Sequence, residues 1–326
     1  MLLPMKQFDS SDWPALAARL RRPYQAAYLA LYSSLYDGIV TDPALMMVPL
    51  DDHMVHRGDG VFEAFKAVNG SLYNLEAHLD RLEASARGLS LPLPVGRREL
   101  TGLAIETVRA GGRPDCMMRI FVSRGPGGFS VNPYECPQPQ LYVIATALGT
   151  PFMQLHPEGA RLRTSAIPAK SAAMANIKNC NYAPNVLMKK EAVDAKVDFT
   201  VGFDETGCMT EGAVENIGIV TGDGRLLFPP LDRILAGTTM RRVMDLARSL
   251  VPRGLLKAVA AEPIPRAAVL RAREVLIAGT TINLAAGVEF DGLPIGAGEP
   301  GPVYRELSAL LLEDMRSNTR LLTPVF

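Results

Sequence analysis

Cysteine is scarce in the sequence, and its few copies lack the spacing of a structural staple. The 326 residues contain four cysteines and no C-x-x-C pair; they are Cys116, Cys136, Cys180 and Cys208. So few cysteines cannot hold a chain of this length together by disulfides, which excludes the disulfide-rich secreted class. The pattern predicts reduced thiols.

An excess of charge of one sign and long apolar runs are also missing. Lys plus Arg total 34, and so do Asp plus Glu, without a block of like charge. This balance favours a small-molecule ligand over nucleic acid or an anionic membrane. No run reaches the ~18 apolar residues of a membrane span, and residues 1–10 lack the apolar core of a signal peptide. We therefore expect a cytoplasmic protein that binds neither nucleic acid nor a membrane.

Apolar residues are plentiful, at 48% of the chain, and that is enough for two domains of about 150 residues each. Residues 11–30 carry apolar groups at spacings of three and four, which predicts an N-terminal helical arm within 1–30. Residues 148–159 contain two prolines and two glycines and predict an interdomain linker. We expect a smaller domain over 31–147 and a larger one over 160–326.

The first half of the chain shows one strong hairpin signal. Residues 61–68 and 71–73 have strand character and flank Asn69-Gly70, a dipeptide that favours a tight β-turn. Apolar residues on one face predict helices over 75–89 and 100–108. Two further strands are predicted over 117–123 and 140–147.

The second half alternates strands and helices. The patterns predict strands over 160–167, 226–228 and 274–278, and a strand pair formed by 199–203 and 217–221. Asp223-Gly224 is the expected hairpin turn before 226–228. Helices are predicted through 186–193 and over 239–250.

Lys178 is the candidate reactive residue. A solvated lysine is protonated and a poor nucleophile, whereas one in a partly desolvated pocket or beside another cation can attack a carbonyl. Taken alone, a lysine near a helix start is better explained without any chemistry. The residues that follow it in the chain change that balance.

Three further features converge with this lysine. Glu211 sits on a turn beside a glycine, Gly237-Thr238-Thr239 opens a helix whose free N–H groups suit a phosphate, and Gly279-Thr280-Thr281 ends a strand. Arg81 adds a possible fixed cation. Each has an ordinary alternative: a solvated turn, an N-cap, a strand end and a surface helix residue. Together they meet the needs of pyridoxal phosphate, which requires a lysine for its aldehyde, a carboxylate for its ring nitrogen and a phosphate site.

Spaced motifs over residues 31–326 resemble the class IV aminotransferases, which are fold-type IV pyridoxal-phosphate enzymes. The motifs are Gly58-Asp-Gly-Val-Phe-Glu63, His78-Leu-Asp-Arg-Leu82, Lys178-x-x-Asn181-Tyr182, Thr210-Glu-Gly212, Gly237-Thr-Thr239 and Gly279-Thr-Thr281. The resemblance is closest to the branch that includes plant plastid D-amino-acid transaminase-like proteins. It implies an α+β fold with a small α/β domain, a larger cofactor-binding domain with a barrel-like sheet, and a homodimer.

The resemblance also implies roles for individual residues. Lys178 matches the Schiff-base lysine and Glu211 the partner of the ring nitrogen. Tyr182 matches the tyrosine that bonds the ring hydroxyl, although its spacing from the lysine is one residue shorter than in branched-chain enzymes. The residues that match phosphate contacts are Arg81, Thr238, Thr239 and Thr280.

The substrate-binding motifs are incomplete. The Arg-x-His pair of D-amino-acid enzymes is missing from the loop 125–133, and the threonine of the lyases is missing near Glu63-Ala64. Arg119 is a candidate for the substrate carboxylate and Arg57 for a second one, while Phe62 adds apolar lining. We expect an aminotransferase that prefers hydrophobic or branched-chain amino acids and a 2-oxo acid.

Three alternatives stay open. A D-amino-acid transaminase would use the other enantiomer, and an aminodeoxychorismate lyase would release pyruvate and 4-aminobenzoate without an acceptor. A non-catalytic binding protein would not need a reactive lysine. The pair His53-x-x-His56 has metal-ligand spacing, but without a third ligand nearby it predicts no metal site.

Overall fold

The computed structural model describes residues 5–326, which fold around two β-sheets. The strands are β1 Tyr28–Ser33, β2 Gly38–Val40, β3 Gly60–Val68, β4 Ser71–Tyr73, β5 Cys116–Ser123, β6 Gln140–Ala147, β7 Ala160–Thr164, β8 Phe199–Val201, β9 Asn216–Val220, β10 Arg225–Phe228, β11 Ala258–Ala261, β12 Glu274–Gly279, β13 Asn283–Phe290, β14 Leu293–Pro294 and β15 Leu322–Pro324. The helices are α1 Trp13–Leu20, α2 His53–Arg57, α3 Leu75–Gly88, α4 Arg97–Gly111, α5 Phe152–Leu155, α6 Ala172–Ala175, α7 Ala183–Asp194, α8 Thr238–Arg248, α9 Arg266–Leu270 and α10 Pro302–Ser317.

The first sheet has the strand order β15-β4-β3-β5-β6-β1-β2. Its β3–β4 hairpin turns at Asn69 and Gly70, whose φ values of 50° and 75° are the left-handed angles that this turn type requires. The predicted hairpin is therefore confirmed. Helices α3 and α4 cover one face of the sheet, and their apolar faces join its core. The core includes Phe65, Leu72, Leu79, Leu82 and Met118.

The predicted N-terminal helix is wrong over its second half. Helix α1 ends at Leu20, and strand β1 begins at Tyr28. Pro23 explains the break, because a proline lacks an N–H donor and forces the preceding residue out of the helical region. Arg22 accordingly has φ −129° and ψ 148°. The part of the predicted arm that covers residues 1–4 lies outside the described residues.

The second sheet has the order β11-β10-β9-β12-β13-β7-β8, and β14 pairs with β13. The predicted pairing of 199–203 with 217–221 is wrong, because β8 pairs with β7 while β9 lies between β10 and β12. The cause is a local turn after β8. The Asp204 carboxylate accepts hydrogen bonds from the N–H groups of Thr206 and Cys208, and the chain folds back there.

The end of the chain returns to the first sheet. Strand β15 pairs with β4 in antiparallel register. Nearby, the Tyr73 hydroxyl donates to Asp314 Oδ2 at 2.5 Å, and Arg242 Nε donates to the same oxygen at 2.8 Å. A strand of the first sheet is thus tied to α8 and α10, which pack on the second. The boundaries 31–147 and 160–326 stay a prediction.

The helices of residues 5–326 are all too short or too polar to cross a membrane. The four cysteines, all within the described part, are free.

Candidate active site

A cavity of about 240 Å³ lies between the two sheets and contains most of the predicted site residues. Strands β3 and β5 form one wall, and the start of α8 and the end of β12 form the other. The lining residues are Phe62, Ala64, Arg81, Arg119, Lys178, Tyr182, Val214, Asn216, Leu235, Gly237, Thr238, Thr239, Ala278, Gly279, Thr280 and Thr281. Glu211 and Arg57 are not among them.

Lys178 is held in the cavity by both its backbone and its amine. Its carbonyl accepts from the N–H of Phe62 at 2.9 Å, and its own N–H donates to Ser85 Oγ at 3.1 Å. The amine Nζ lies 4.4 Å from the centre of the Phe62 ring. Burial, together with the positive charge of Arg81, lowers the pKa of the Lys178 amine to about 8. A useful fraction of this amine is therefore neutral near neutral pH.

Tyr182 lies one helical turn beyond the lysine, at the N-cap of α7. Its hydroxyl accepts a hydrogen bond from Lys178 Nζ at 3.2 Å. The ring meets Phe62 edge to face with 5.0 Å between centroids. Burial, with the negative charge of Glu211 nearby, raises the pKa of the Tyr182 hydroxyl. The tyrosine is therefore a neutral group that can donate to a ligand in the cavity.

The start of α8 is built for a close approach. Gly237 is the N-cap, and a Cβ there would lie 1.9 Å from Asn216 Oδ1, so only glycine fits. The first turn of a helix has free N–H groups and a partial positive charge, which suits an anion. Thr238 and Thr239 belong to this turn, and Thr280 faces it from the end of β12.

Sequence reasoning missed a buried network behind this turn. Glu63 and His78 are almost fully buried, and His78 Nδ1 lies 2.7 Å from Glu63 Oε2. The other ring nitrogen of His78, Nε2, lies 3.2 Å from Thr238 Oγ. Burial would raise the pKa of Glu63, but Arg81 and His78 lower it to about 2. The signal was present in the sequence, since Glu63 interrupts a strand with apolar neighbours and His78 lies on the apolar face of its helix.

Glu211 lies behind the cavity and close to it. Its Oε2 accepts from the N–H of Leu235 at 3.0 Å, and Leu235 lines the cavity. Its Oε1 is 3.7 Å from Lys170 Nζ. Burial raises the pKa of Glu211, while Lys170 and the Leu235 N–H oppose that rise. Lys170 was not identified from the sequence, because nothing local links it to residue 211.

The two arginines of the substrate prediction lie in different places. Arg119 lines the cavity beside Ala64, its partner in the β3–β5 register, and donates to Thr146 Oγ at 3.2 Å. Burial lowers the pKa of Arg119. Arg57 lies at the end of α2, where its Nε donates to the carbonyl of Ser130 at 3.3 Å. One chain therefore brings Arg119, but not Arg57, to the lysine.

The predicted histidine pair contacts loop backbone. His53 Nε2 lies 3.1 Å from the carbonyl of Gly128, and His56 Nε2 lies 3.4 Å from that of Asp51. The described residues contain no group of three or more His, Cys, Asp or Glu side chains arranged to hold a metal.

The residues of the cavity fit pyridoxal phosphate. The helix turn, Thr280 and Arg81 supply donors and positive charge for a phosphate. Lys178 supplies a buried amine for the aldehyde, and the Tyr182 hydroxyl lies within reach of that amine. The residue roles predicted from the sequence stay predictions.

Comparison with known proteins agrees with this donor set. The family described as "Amino-transferase class IV" matches residues 60–289. The chloroplastic D-amino-acid transaminase of Arabidopsis thaliana is 40% identical over 301 residues, which cover 91% of this chain and 80% of that protein. A putative branched-chain-amino-acid aminotransferase of Methanocaldococcus jannaschii is 32% identical, over 83% of this chain and 92% of that one.

Solved structures show the same fold. The branched-chain amino acid aminotransferase of T.th. with pyridoxamine 5'-phosphate superposes with a TM-score of 0.84 at 27% identity, covering 92% of this chain and 99% of that chain. The predicted α+β fold of fold-type IV and the predicted pyridoxal phosphate cofactor are confirmed. The chain is an enzyme that belongs to the class IV aminotransferases.

Proposed function

We propose that the protein moves an amino group between a small or medium hydrophobic amino acid and a 2-oxo acid, with Lys178 as the catalytic residue. The observation that carries this proposal is the Lys178 amine, which is buried, lies 3.2 Å from the Tyr182 hydroxyl and has a pKa lowered to about 8. A lysine in this state can attach to an aldehyde and can also carry a proton.

The cofactor-holding residues divide between its two ends. Thr238, Thr239 and Thr280 would hold the phosphate together with Arg81, and Tyr182 would bond the ring hydroxyl. Glu211 would face the ring nitrogen. When bound, pyridoxal phosphate supplies an electron sink for the bond broken at the amino acid's Cα.

The chain's own residues then handle the proton and the substrate. Lys178 Nζ takes up the proton that leaves Cα, since its neutral form is populated near neutral pH. Arg119 binds the substrate carboxylate, because it is a fixed cation on the cavity wall. Phe62 excludes water and, with Ala64, offers an apolar surface to the side chain of the amino acid.

A donor and acceptor panel on the purified protein tests this proposal. The protein should absorb in the visible, and borohydride should fix the cofactor on Lys178, as peptide mapping would reveal. Lys178→Ala should abolish amino transfer. A colourless protein that cannot be reconstituted with pyridoxal phosphate would contradict the proposal.

A D-amino-acid substrate is the second candidate, favoured by the 40% identity to a D-amino-acid transaminase. A third relative, of Mycobacterium tuberculosis, is named as a bifunctional aminodeoxychorismate lyase and D-amino acid transaminase and is 28% identical over 65% of this chain. Each amino acid should therefore be tested as separate enantiomers, and aminodeoxychorismate should be tested without an acceptor. Pyruvate from that compound alone, with inert amino acids, would identify a lyase.

We also propose a homodimer in the cytoplasm. Several large apolar side chains are exposed on the single chain, among them Leu50, Phe129, Val131 and Val186. Such exposure is typical of a surface that a partner covers. Free thiols agree with a reducing compartment. Sedimentation equilibrium tests the dimer, and fractionation of the source cells tests the location.

A further inference from the structure

We infer that His78 is a positioning residue of the phosphate end of the cavity: it binds the Thr238 hydroxyl, so that α8 presents its main-chain N–H groups to the phosphate. The inference rests on the proposed function, because it concerns the site that would hold pyridoxal phosphate. The geometry that carries it is a chain of buried contacts from Glu63 through His78 to Thr238.

Glu63 determines which ring nitrogen of His78 carries the proton. Because Arg81 and His78 keep the carboxylate ionised, Glu63 can only accept, and His78 Nδ1 must donate to it across 2.7 Å. The charged groups around the ring are Glu63 on β3, Arg81 on α3 and Lys178. Burial lowers the pKa of His78, with Arg81 and Lys178 acting in the same direction against Glu63. The ring is therefore neutral, and its Nε2 is an acceptor.

An acceptor at Nε2 fixes the direction of the next hydrogen bond. The Thr238 hydroxyl lies 3.2 Å from His78 Nε2 and must donate its only hydrogen there. The hydroxyl then has no hydrogen left for an anion. The phosphate donors on this side of the cavity are consequently the main-chain N–H groups of the α8 turn, the Thr239 hydroxyl and Arg81. Thr238 takes part through its backbone, which differs from the hydroxyl contact expected for it from the sequence.

The contact with His78 matters because α8 has no side-chain N-cap of its own. A helix start without a cap is less well fixed by its own residues. The contact comes instead from α3, a helix that packs on the other sheet. His78 thus links the sheet that carries Glu63 to the helix turn that would meet the phosphate.

Two ligands separate positioning of the phosphate from a general structural role. The apoenzyme is titrated with pyridoxal phosphate and with pyridoxal, which lacks the phosphate, and protein fluorescence reports binding. His78→Asn retains a donor for Glu63 but loses the acceptor for Thr238, and Thr238→Val removes the hydroxyl. We expect each to weaken pyridoxal phosphate binding about three- to tenfold, the size of one neutral hydrogen bond, and to leave pyridoxal binding unchanged.

A double-mutant cycle and two conservative variants complete the test. Because both changes break one contact, His78→Asn with Thr238→Val should weaken binding no more than either alone. Thr238→Ser retains the hydroxyl and His78→Gln restores an acceptor near Nε2, so both should recover most of the affinity. If His78→Asn fails to fold, Thr238→Val alone decides, because it leaves Glu63 and Arg81 untouched.

The outcomes separate the inference from the function on which it rests. Equal weakening of both ligands, additive losses in the double variant, or wild-type affinity in Thr238→Val would overturn the inference alone. A wild-type apoenzyme that binds neither ligand would overturn the proposed function and the inference with it.

Discussion

Arg81 donates two parallel hydrogen bonds to Glu63, from Nε to Oε1 at 2.7 Å and from Nη2 to Oε2 at 2.8 Å. Both side chains are nearly inaccessible, with 11% and 0% of their surfaces exposed. Such a pair fixes the plane of the guanidinium. The remaining nitrogen, Nη1, approaches the carbonyl of Ala236 at 3.4 Å. Glu63 therefore orients the cation that borders the phosphate end of the cavity.

Glu63→Gln should destabilise the apoenzyme by roughly 3–5 kcal/mol. Removing one member of a buried ion pair leaves the other charge uncompensated, and this is the usual size of that effect. Here the change would leave Arg81 buried without its carboxylate. Urea unfolding, followed by circular dichroism, measures the free energy of unfolding.

The matched control is Glu76→Gln. Glu76 accepts from Arg97 Nη1 at 2.9 Å, but 67% of its side chain is exposed. Exposed pairs contribute little, so we expect a change of at most about 1 kcal/mol. Equal effects of the two substitutions would mean that burial does not strengthen the Glu63 pair.

Glu211→Gln tests the predicted ring-nitrogen partner. The amide oxygen can still accept from the Leu235 N–H, so the fold and the bound cofactor should be retained. A neutral amide cannot hold a pyridine nitrogen protonated. We expect kcat to fall about a hundredfold or more, in the range of lost acid–base catalysis, while visible absorbance reports that cofactor is still present.

Glu215→Gln is the control for that loss. Glu215 is also buried, but its carboxylate accepts from the N–H of Val214, its own neighbour. Its removal should change kcat by no more than a few-fold. A Glu211→Gln enzyme with near-native kcat would assign the ring nitrogen to another residue.

The stability of the apoenzyme should carry the signature of Lys178. Its pKa is lowered to about 8 by burial, whereas the unfolded chain has the ordinary value near 10.4. Between these two values the unfolded state binds one more proton, so the contribution of Lys178 to stability rises with pH. At neutral pH the buried charge costs roughly 3 kcal/mol at ~1.4 kcal/mol per unit of pKa.

Lys178→Met removes this cost and serves as the comparison. We expect the variant to be more stable than wild type at pH 7, and the difference to shrink as the pH rises from about 8 towards 10. Urea unfolding at several pH values measures it, and other titrating groups cancel between the two proteins. A difference that stays constant with pH would contradict the lowered pKa.

Local chemistry made much of the fold predictable. The Asn69-Gly70 turn required only a dipeptide between two apolar runs, and the Asp223-Gly224 turn likewise joins β9 to β10. The end of α1 was also written in the sequence, because Pro23 forbids the helix to continue, although the apolar spacing beyond it suggested otherwise. Signals carried by neighbouring residues survive folding because their cause is local.

Contacts between distant residues were not predictable in the same way. Lys170 reaches Glu211 because the strands β7 and β8 and the loops after them fold together, and no local pattern encodes that approach. The link from His78 to Thr238 spans 160 residues. The Lys178–Tyr182 contact was easier, because four residues make about one helical turn and the resemblance already marked both. Arg57 matched a family position by sequence but lies outside the cavity of its own chain.

Arg119→Ala tests the proposed binding of the substrate carboxylate. One charge-assisted hydrogen-bond pair would be lost, so KM for both amino donor and oxo-acid acceptor should rise about tenfold to a hundredfold. The change in kcat should be smaller, because the carboxylate is bound in the ground state and in the transition state alike. Steady-state kinetics with a hydrophobic donor and with pyruvate or 2-oxoglutarate as acceptor measure both parameters.

Arg57→Ala is the matched arginine variant. Arg57 bonds the carbonyl of Ser130 outside the cavity, so any effect on substrate must come through the second copy in the proposed homodimer. There we expect KM for 2-oxoglutarate to rise, because its second carboxylate needs a second cation, while KM for pyruvate stays near the wild-type value. An Arg119→Ala enzyme with unchanged KM for every donor and acceptor would move the carboxylate site elsewhere. An equal rise in KM for pyruvate and 2-oxoglutarate in Arg57→Ala would show that this arginine acts on the loop 125–133 and not on a second carboxylate.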